Sequence, residues 1–91
     1  MSTATAAGQS PREKMAALVS RQPLATLCTS LLMLDANPRP DEAERLTRAV
    51  IIDSICERSP AANAALDAWA DSDDYDPHAA VRAIVAAVKG A

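Results

Sequence analysis

The stretch VIIDSICERSP, residues 50–60, decides the fold class of this 91-residue chain. Its apolar side chains occupy most of the circumference of a helix: Val50, Ile51, Ile52, Ile55 and Cys56. A helix that is apolar nearly all round must be covered from several sides. Ser59-Pro60 then supplies a capping side chain and a proline suited to the first position of a new helix. We therefore expect a central helix that ends at about Arg58.

The same pairing of a cap with a proline recurs on both sides of this stretch. Ser10-Pro11 is followed by Glu13, which completes a capping box, and Asp76-Pro77 opens the last helix. Pro23 marks a further start, and Asn37–Pro40 contains two prolines that end the helix before it. We predict an all-α fold, a small bundle of four to five short helices with a central third helix.

The amino-acid composition favours helices over strands. Hydrophobic residues make up 49% of the chain, much of it alanine, with one Trp, one Tyr and no Phe. Small aliphatic side chains suit close helix packing, whereas strands favour β-branched and aromatic residues. Residues 1–9 are small and polar, so we predict a disordered tail there. Residues 10–91 form the predicted single helical domain.

The charge of the chain is uneven. Its net charge is −3, and residues 67–91 hold five Asp against Arg82 and Lys89, which accounts for all of it. Such a chain is not built to coat phosphate backbones, so nucleic-acid binding is not favoured. On the third helix, we expect Arg48 to pair with Glu44 four residues earlier instead of reading DNA.

Cys28 and Cys56 lie inside apolar helical runs, which predicts reduced thiols acting as small hydrophobes. Residues 1–9 lack the basic start and apolar run of a signal peptide, and no apolar run approaches the length of a membrane span. We expect a cytoplasmic protein with no membrane contact. The apolar circumference of the third helix also suggests a homodimer.

The stretch DSDDYDPH, residues 71–78, is the most charged in the chain; residues 71–76 are called the acidic connector below. A calcium loop of the EF-hand type fails in both possible registers, because Tyr75 or Pro77 falls where an oxygen ligand is needed. We predict no metal site and no cofactor. Asp76 should cap the last helix, while Asp73 and Asp74 should have no structural task. We predict protein contacts at Trp69, Asp71, Asp73, Asp74 and Tyr75.

Catalytic features are weak. His78 has no second histidine or cysteine pair to form a zinc site and no fixed nucleophile beside it, so we interpret it as a surface histidine and predict no enzyme activity. Asp53-Ser54-Ile55 resembles the Asp-Ser-Leu motif of acyl carrier proteins, in which the serine carries phosphopantetheine. In that family the serine opens a helix, whereas Ser54 lies inside one.

A longer pattern covers residues 44–71, ERLTRAVIIDSICERSPAANAALDAWAD. Its marked positions are Glu44, Arg45, Arg48, Ala49, Asp53, Glu57, Arg58, Pro60, Ala65 and Trp69. This segment resembles small uncharacterised helical proteins of actinobacteria and their phages. The resemblance implies an accessory protein of such hosts and no particular activity.

Three functions follow from these patterns. The first is a non-catalytic helical protein that acts by binding a protein partner. The second is a small nucleic-acid-linked regulator of the repressor or antitoxin type. The third is a carrier-like module that uses Ser54. The convergence or dispersal of basic side chains on one face would distinguish the first two.

Overall fold

A computed structural model describes residues 10–90 of the chain as five α-helices without a strand. They are α1 Pro11–Val19, α2 Leu24–Asp35, α3 Glu42–Arg58, α4 Pro60–Ala70 and α5 Pro77–Gly90. The all-α prediction is confirmed. The predicted disordered tail, residues 1–9, lies outside the described residues.

The helix starts depend on the capping side chains that the sequence indicates. Ser10 Oγ accepts the Glu13 N–H at 3.1 Å, and Glu13 Oε1 accepts the Ser10 N–H at 3.4 Å. Ser59 Oγ accepts the Ala62 N–H at 3.2 Å, while the Ser59 N–H donates to the Ile55 carbonyl at 2.8 Å. Ser59 therefore closes α3 and opens α4 at once, so the two helices meet without a loop.

The third helix is central, as predicted. α3 contacts each of the other four helices. Ile55, in its C-terminal half, has 0% of its surface exposed. The buried hydrophobic cluster draws on all five helices: Val19, Leu27, Cys28, Leu31, Val50, Ile51, Ile55, Ala62, Val81, Ile84 and Val85. Every helix thus contributes at least one apolar side chain to a shared core.

The homodimer was predicted from the apolar circumference of the third helix, and this packing accounts for that circumference within one chain. Of the five apolar residues that suggested the dimer, only Ile52 and Cys56 are not fully buried, and both still pack against the core. Because neighbouring helices cover α3, it offers no bare apolar face to a second copy. A homodimer would need another surface.

Both cysteines are free thiols with raised pKa values. Burial raises the pKa of the Cys28 thiol, and the charge of Lys89 opposes this in part. Burial also raises the pKa of Cys56, and the carboxylates of Asp53 and Asp67 raise it further. The thiols therefore stay protonated near neutral pH and pack as small hydrophobes.

The helices are short, and the longest, α3, has 17 residues. A membrane-spanning helix takes about 20 predominantly apolar residues. None of the helices between residues 10 and 90 has the length and apolar content to cross a membrane.

Candidate functional site

Side chains at alternate positions hold the acidic connector through hydrogen bonds to the backbone. Ser72 Oγ donates to the Trp69 carbonyl at 2.6 Å and accepts the Asp74 N–H at 3.1 Å. Asp74 Oδ1 accepts the Asp76 N–H at 2.8 Å. Asp76 Oδ1 then accepts the His78 N–H at 3.0 Å, the cap that the sequence predicts for α5. Short polar side chains often bond the backbone two residues on, which fixes a turn without regular structure.

The odd-numbered residues of the connector have no such task. Within residues 10–90, the side chains of Asp71, Asp73 and Tyr75 make no hydrogen bond or ion pair. All three are exposed, and Tyr75 has 87% of its surface open to solvent, the highest value among the exposed large hydrophobic residues. The connector therefore presents one aromatic ring and two carboxylates that its own fold does not use.

Asp74 differs from the expectation that it has no structural task. Its carboxylate holds the amide of Asp76, the residue that caps α5. The side chain is still exposed and contributes charge to the surface. Of the predicted contact residues, Asp74 thus has a structural task, and Asp71, Asp73 and Tyr75 do not.

Trp69 lies at the base of the connector, half-buried on α4. Its carbonyl accepts two hydrogen bonds from Ser72, one from the backbone N–H at 3.1 Å and one from the Oγ hydroxyl at 2.6 Å. Its indole Nε1 is buried and has no hydrogen-bond partner among the described residues. Because that N–H is enclosed, a partner could reach only the exposed part of the ring. Trp69 therefore anchors the connector more than it presents a contact.

A second polar cluster lies where the connector enters α5, and Asp35 is at its centre. Asp35 closes α2 with only 12% of its side chain exposed. Its Oδ2 lies 2.8 Å from His78 Nδ1 on α5, and its Oδ1 accepts from Arg48 Nη2 on α3 at 3.4 Å. Arg48 also donates to the Pro77 carbonyl at 3.3 Å. One carboxylate thus joins three helices.

This cluster adds a partner to one predicted residue and corrects the partner of another. His78 is a surface histidine, as predicted, with 54% of its side chain exposed, and its partner is Asp35, 43 positions earlier in the chain. Arg48 does not pair with Glu44, because the two Glu44 oxygens have other donors. Glu44 Oε2 accepts from Asn37 Nδ2 at 2.7 Å, and Glu44 Oε1 accepts the Asp41 N–H in the capping box that opens α3.

A cavity of about 290 Å³ opens beside the Asp35 cluster. Its lining consists of Leu34, Asp35, Asn37, Pro38, Pro40, Arg45, Arg48, Pro77 and His78. No serine, threonine or cysteine is among them, so the imidazole has no hydroxyl or thiol to activate there. The walls combine cationic side chains with three prolines.

The remaining sequence alternatives meet specific obstacles. Ser54 is buried inside α3, so its hydroxyl is not presented to a modifying enzyme as a carrier serine must be. Outside the cavity beside Asp35, three arginines are engaged within the fold. Arg12 pairs with Asp53, Arg82 pairs with Asp76, and Arg58 donates to the Gln22 carbonyl. Among residues 10–90, no three His, Cys, Asp or Glu side chains are placed to hold a metal ion.

Comparison of the chain with protein-family models, curated proteins and solved structures gives no significant match. Function is therefore inferred from the geometry of the acidic connector and the Asp35 cluster.

Proposed function

We propose that this chain is a non-catalytic protein-binding module that uses the acidic connector as its contact surface. The observation that carries the proposal is Tyr75, 87% exposed on a connector whose backbone is fixed by its own side chains. A tyrosine offers a large ring and a hydroxyl at low entropic cost, and tyrosines are enriched among the residues that dominate binding energy.

The hydrogen bonds of the connector favour a protein partner because they reduce the cost of binding. A segment that is ordered before contact loses little conformational entropy when the partner arrives. Asp71 and Asp73 precede Tyr75 in the same connector and carry carboxylates that lack internal partners within residues 10–90. Two free carboxylates beside an aromatic ring fit a partner surface that carries lysine or arginine around an apolar depression.

The acidity of the connector weighs against nucleic acid as the partner. Four aspartates within residues 71–76 would repel phosphates. Arg12, Arg58 and Arg82 are engaged within the fold, and Arg45 and Arg48 line a cavity that also contains the Asp35 carboxylate, which does not favour the broad basic surface that a repressor or antitoxin presents to DNA. We therefore propose protein binding and not nucleic-acid binding.

Two broader elements belong to the same proposal. The resemblance of residues 44–71 supports an accessory role in an actinobacterial or phage setting. The free thiols of Cys28 and Cys56 support a reducing, cytoplasmic location, since extracellular proteins of this size usually oxidise their cysteines.

The experiment is a comparative affinity capture from cells that produce the protein, quantified by mass spectrometry. Wild type is compared with Tyr75→Ala and with the matched control Met33→Ala, which removes a 72% exposed side chain from α2. We expect one protein to be enriched by wild type and Met33→Ala, lost with Tyr75→Ala, and weakened by added salt. An identical set of captured proteins for Tyr75→Ala and wild type would contradict the proposal.

A further inference from the structure

The cavity beside Asp35 has an excess of positive charge in a chain whose net charge is negative. Its lining holds one carboxylate, Asp35, against the guanidinium groups of Arg45 and Arg48 and the imidazole of His78. The excess is one positive charge with a neutral imidazole and two with a protonated one. Glu44, on the same helix, is not part of the lining, and its carboxylate oxygens accept from Asn37 and from the Asp41 N–H of the capping box.

Arg45 is the group that the fold leaves available. Within residues 10–90 its guanidinium makes no hydrogen bond or ion pair, although it lines the cavity. Arg48 is only loosely held, because its Nη2 makes two long contacts of 3.4 and 3.3 Å. His78 commits Nδ1 to Asp35, which leaves Nε2 without a partner in the same range. Three nitrogen-bearing groups therefore keep donor or acceptor capacity at one cavity.

Apart from Asn37, the rest of the wall is apolar. The apolar lining consists of the Leu34 side chain and the rings of Pro38, Pro40 and Pro77, none of which can donate a hydrogen bond. The proline rings also hold the backbone dihedral φ nearly fixed. A volume of about 290 Å³ lies at the lower end of the range for small-molecule sites. Such a site accommodates a compact apolar body attached to a charged head group.

We propose that this cavity binds a small organic acid whose oxyanion head group lies against Arg45, Arg48 and His78 and whose apolar body lies against the prolines. The planar guanidinium of Arg45 matches the paired oxygens of a carboxylate or a phosphate. Asp35, which also lines the cavity, holds Arg48 and His78 and so positions them before the ligand arrives. The site is separate from Asp71, Asp73 and Tyr75 and does not depend on the function proposed for the connector.

The test is a titration monitored by nuclear magnetic resonance of the full chain, observing the His78 imidazole and the arginine side chains. The probes are benzoate, phenyl phosphate and benzamide, a neutral molecule shaped like benzoate. We expect saturable shifts of the His78 and Arg45 signals with at least one of the two anions and none with benzamide. Tighter binding of benzoate assigns a carboxylate ligand, and tighter binding of phenyl phosphate assigns a phosphate ester.

Variants separate a built site from general attraction of anions. Arg45→Gln should weaken binding by about tenfold or more, the usual effect of removing a hydrogen bond to a charged group. Its thermal unfolding should be unchanged, since Arg45 is exposed and holds nothing else. Arg39→Gln removes the same charge from a residue outside the cavity lining and should bind as wild type does. Shifts that never saturate, equal shifts with benzamide, or unchanged binding by Arg45→Gln would each overturn the proposal.

Discussion

The alternating hydrogen bonds of the connector predict opposite outcomes for two adjacent aspartates, Asp73 and Asp74. Asp74→Ala removes the acceptor of the Asp76 N–H, a 2.8 Å bond to a charged oxygen. Hydrogen bonds contribute about 0.5–1.5 kcal/mol net, and water can replace this exposed acceptor, so we expect a loss of about 0.5–1 kcal/mol. Asp73→Ala removes no internal contact and relieves repulsion among the aspartates, so its effect should stay within about 0.5 kcal/mol or be slightly stabilising.

Two further variants calibrate the comparison. Asp76→Ala removes the cap of α5 and should lose about 0.5–2 kcal/mol, the usual range for a capping side chain. Asp74→Asn keeps an acceptor oxygen at the same position and should recover most of what Asp74→Ala loses. The assay is urea unfolding followed by far-ultraviolet circular dichroism, with the slope of the transition held common to all variants. An equal loss for Asp73→Ala and Asp74→Ala would refute the alternation of structural and free side chains.

Three other predictions follow from the core, the thiols and the Asp35 cluster. Ile55→Ala should lower the free energy of unfolding by about 2–5 kcal/mol in urea unfolding, because the side chain is fully buried in the core cluster around α3. A loss below about 1 kcal/mol would contradict the central place of that helix. Burial raises the pKa of both thiols, so the stability they contribute is present below their ordinary pKa of 9.0 and declines as the pH rises above it. At pH 8, iodoacetamide should label half-buried Cys56 before buried Cys28. The reverse order of labelling, measured by mass spectrometry, would count against this placement of the two thiols. Asp35→Ala removes the partner of His78 and one of the two acceptors of Arg48, and it should lose about 1–3 kcal/mol, measured in urea, whereas an unchanged transition would show that the cluster does not join the helices.

The sequence predicts the helices well because their signals are local. A serine or aspartate before a proline, as at Ser10, Ser59 and Asp76, marks a helix start through bonds that span two or three residues. The central position of α3 is also readable, since apolar residues around the whole circumference need cover on every side. The homodimer stays a prediction without that support, because the sequence does not show how many neighbouring helices cover the circumference of α3.

The candidate site was predictable only in part. The connector is visible as a charged stretch, and the spacing of Ser72, Asp74 and Asp76 at every second position is a local signal from which the alternation could have been found. Asp35 and His78 lie 43 positions apart, and nothing in their separate neighbourhoods indicates that α2 and α5 bring them together. The pairing of Arg48 was missed for the same reason, since the four-residue rule considers only neighbours on one helix.

The most direct test of the central claim, that the odd-numbered side chains of the connector face a protein partner, is site-specific photo-cross-linking. A photoreactive phenylalanine analogue replaces Tyr75 in one version of the chain and Met33 in a control version, and both are irradiated in cells that produce the protein. The account predicts one discrete cross-linked partner from position 75, reduced by Asp71→Asn with Asp73→Asn and absent from position 33. The same products from both positions, or none from position 75, would contradict it.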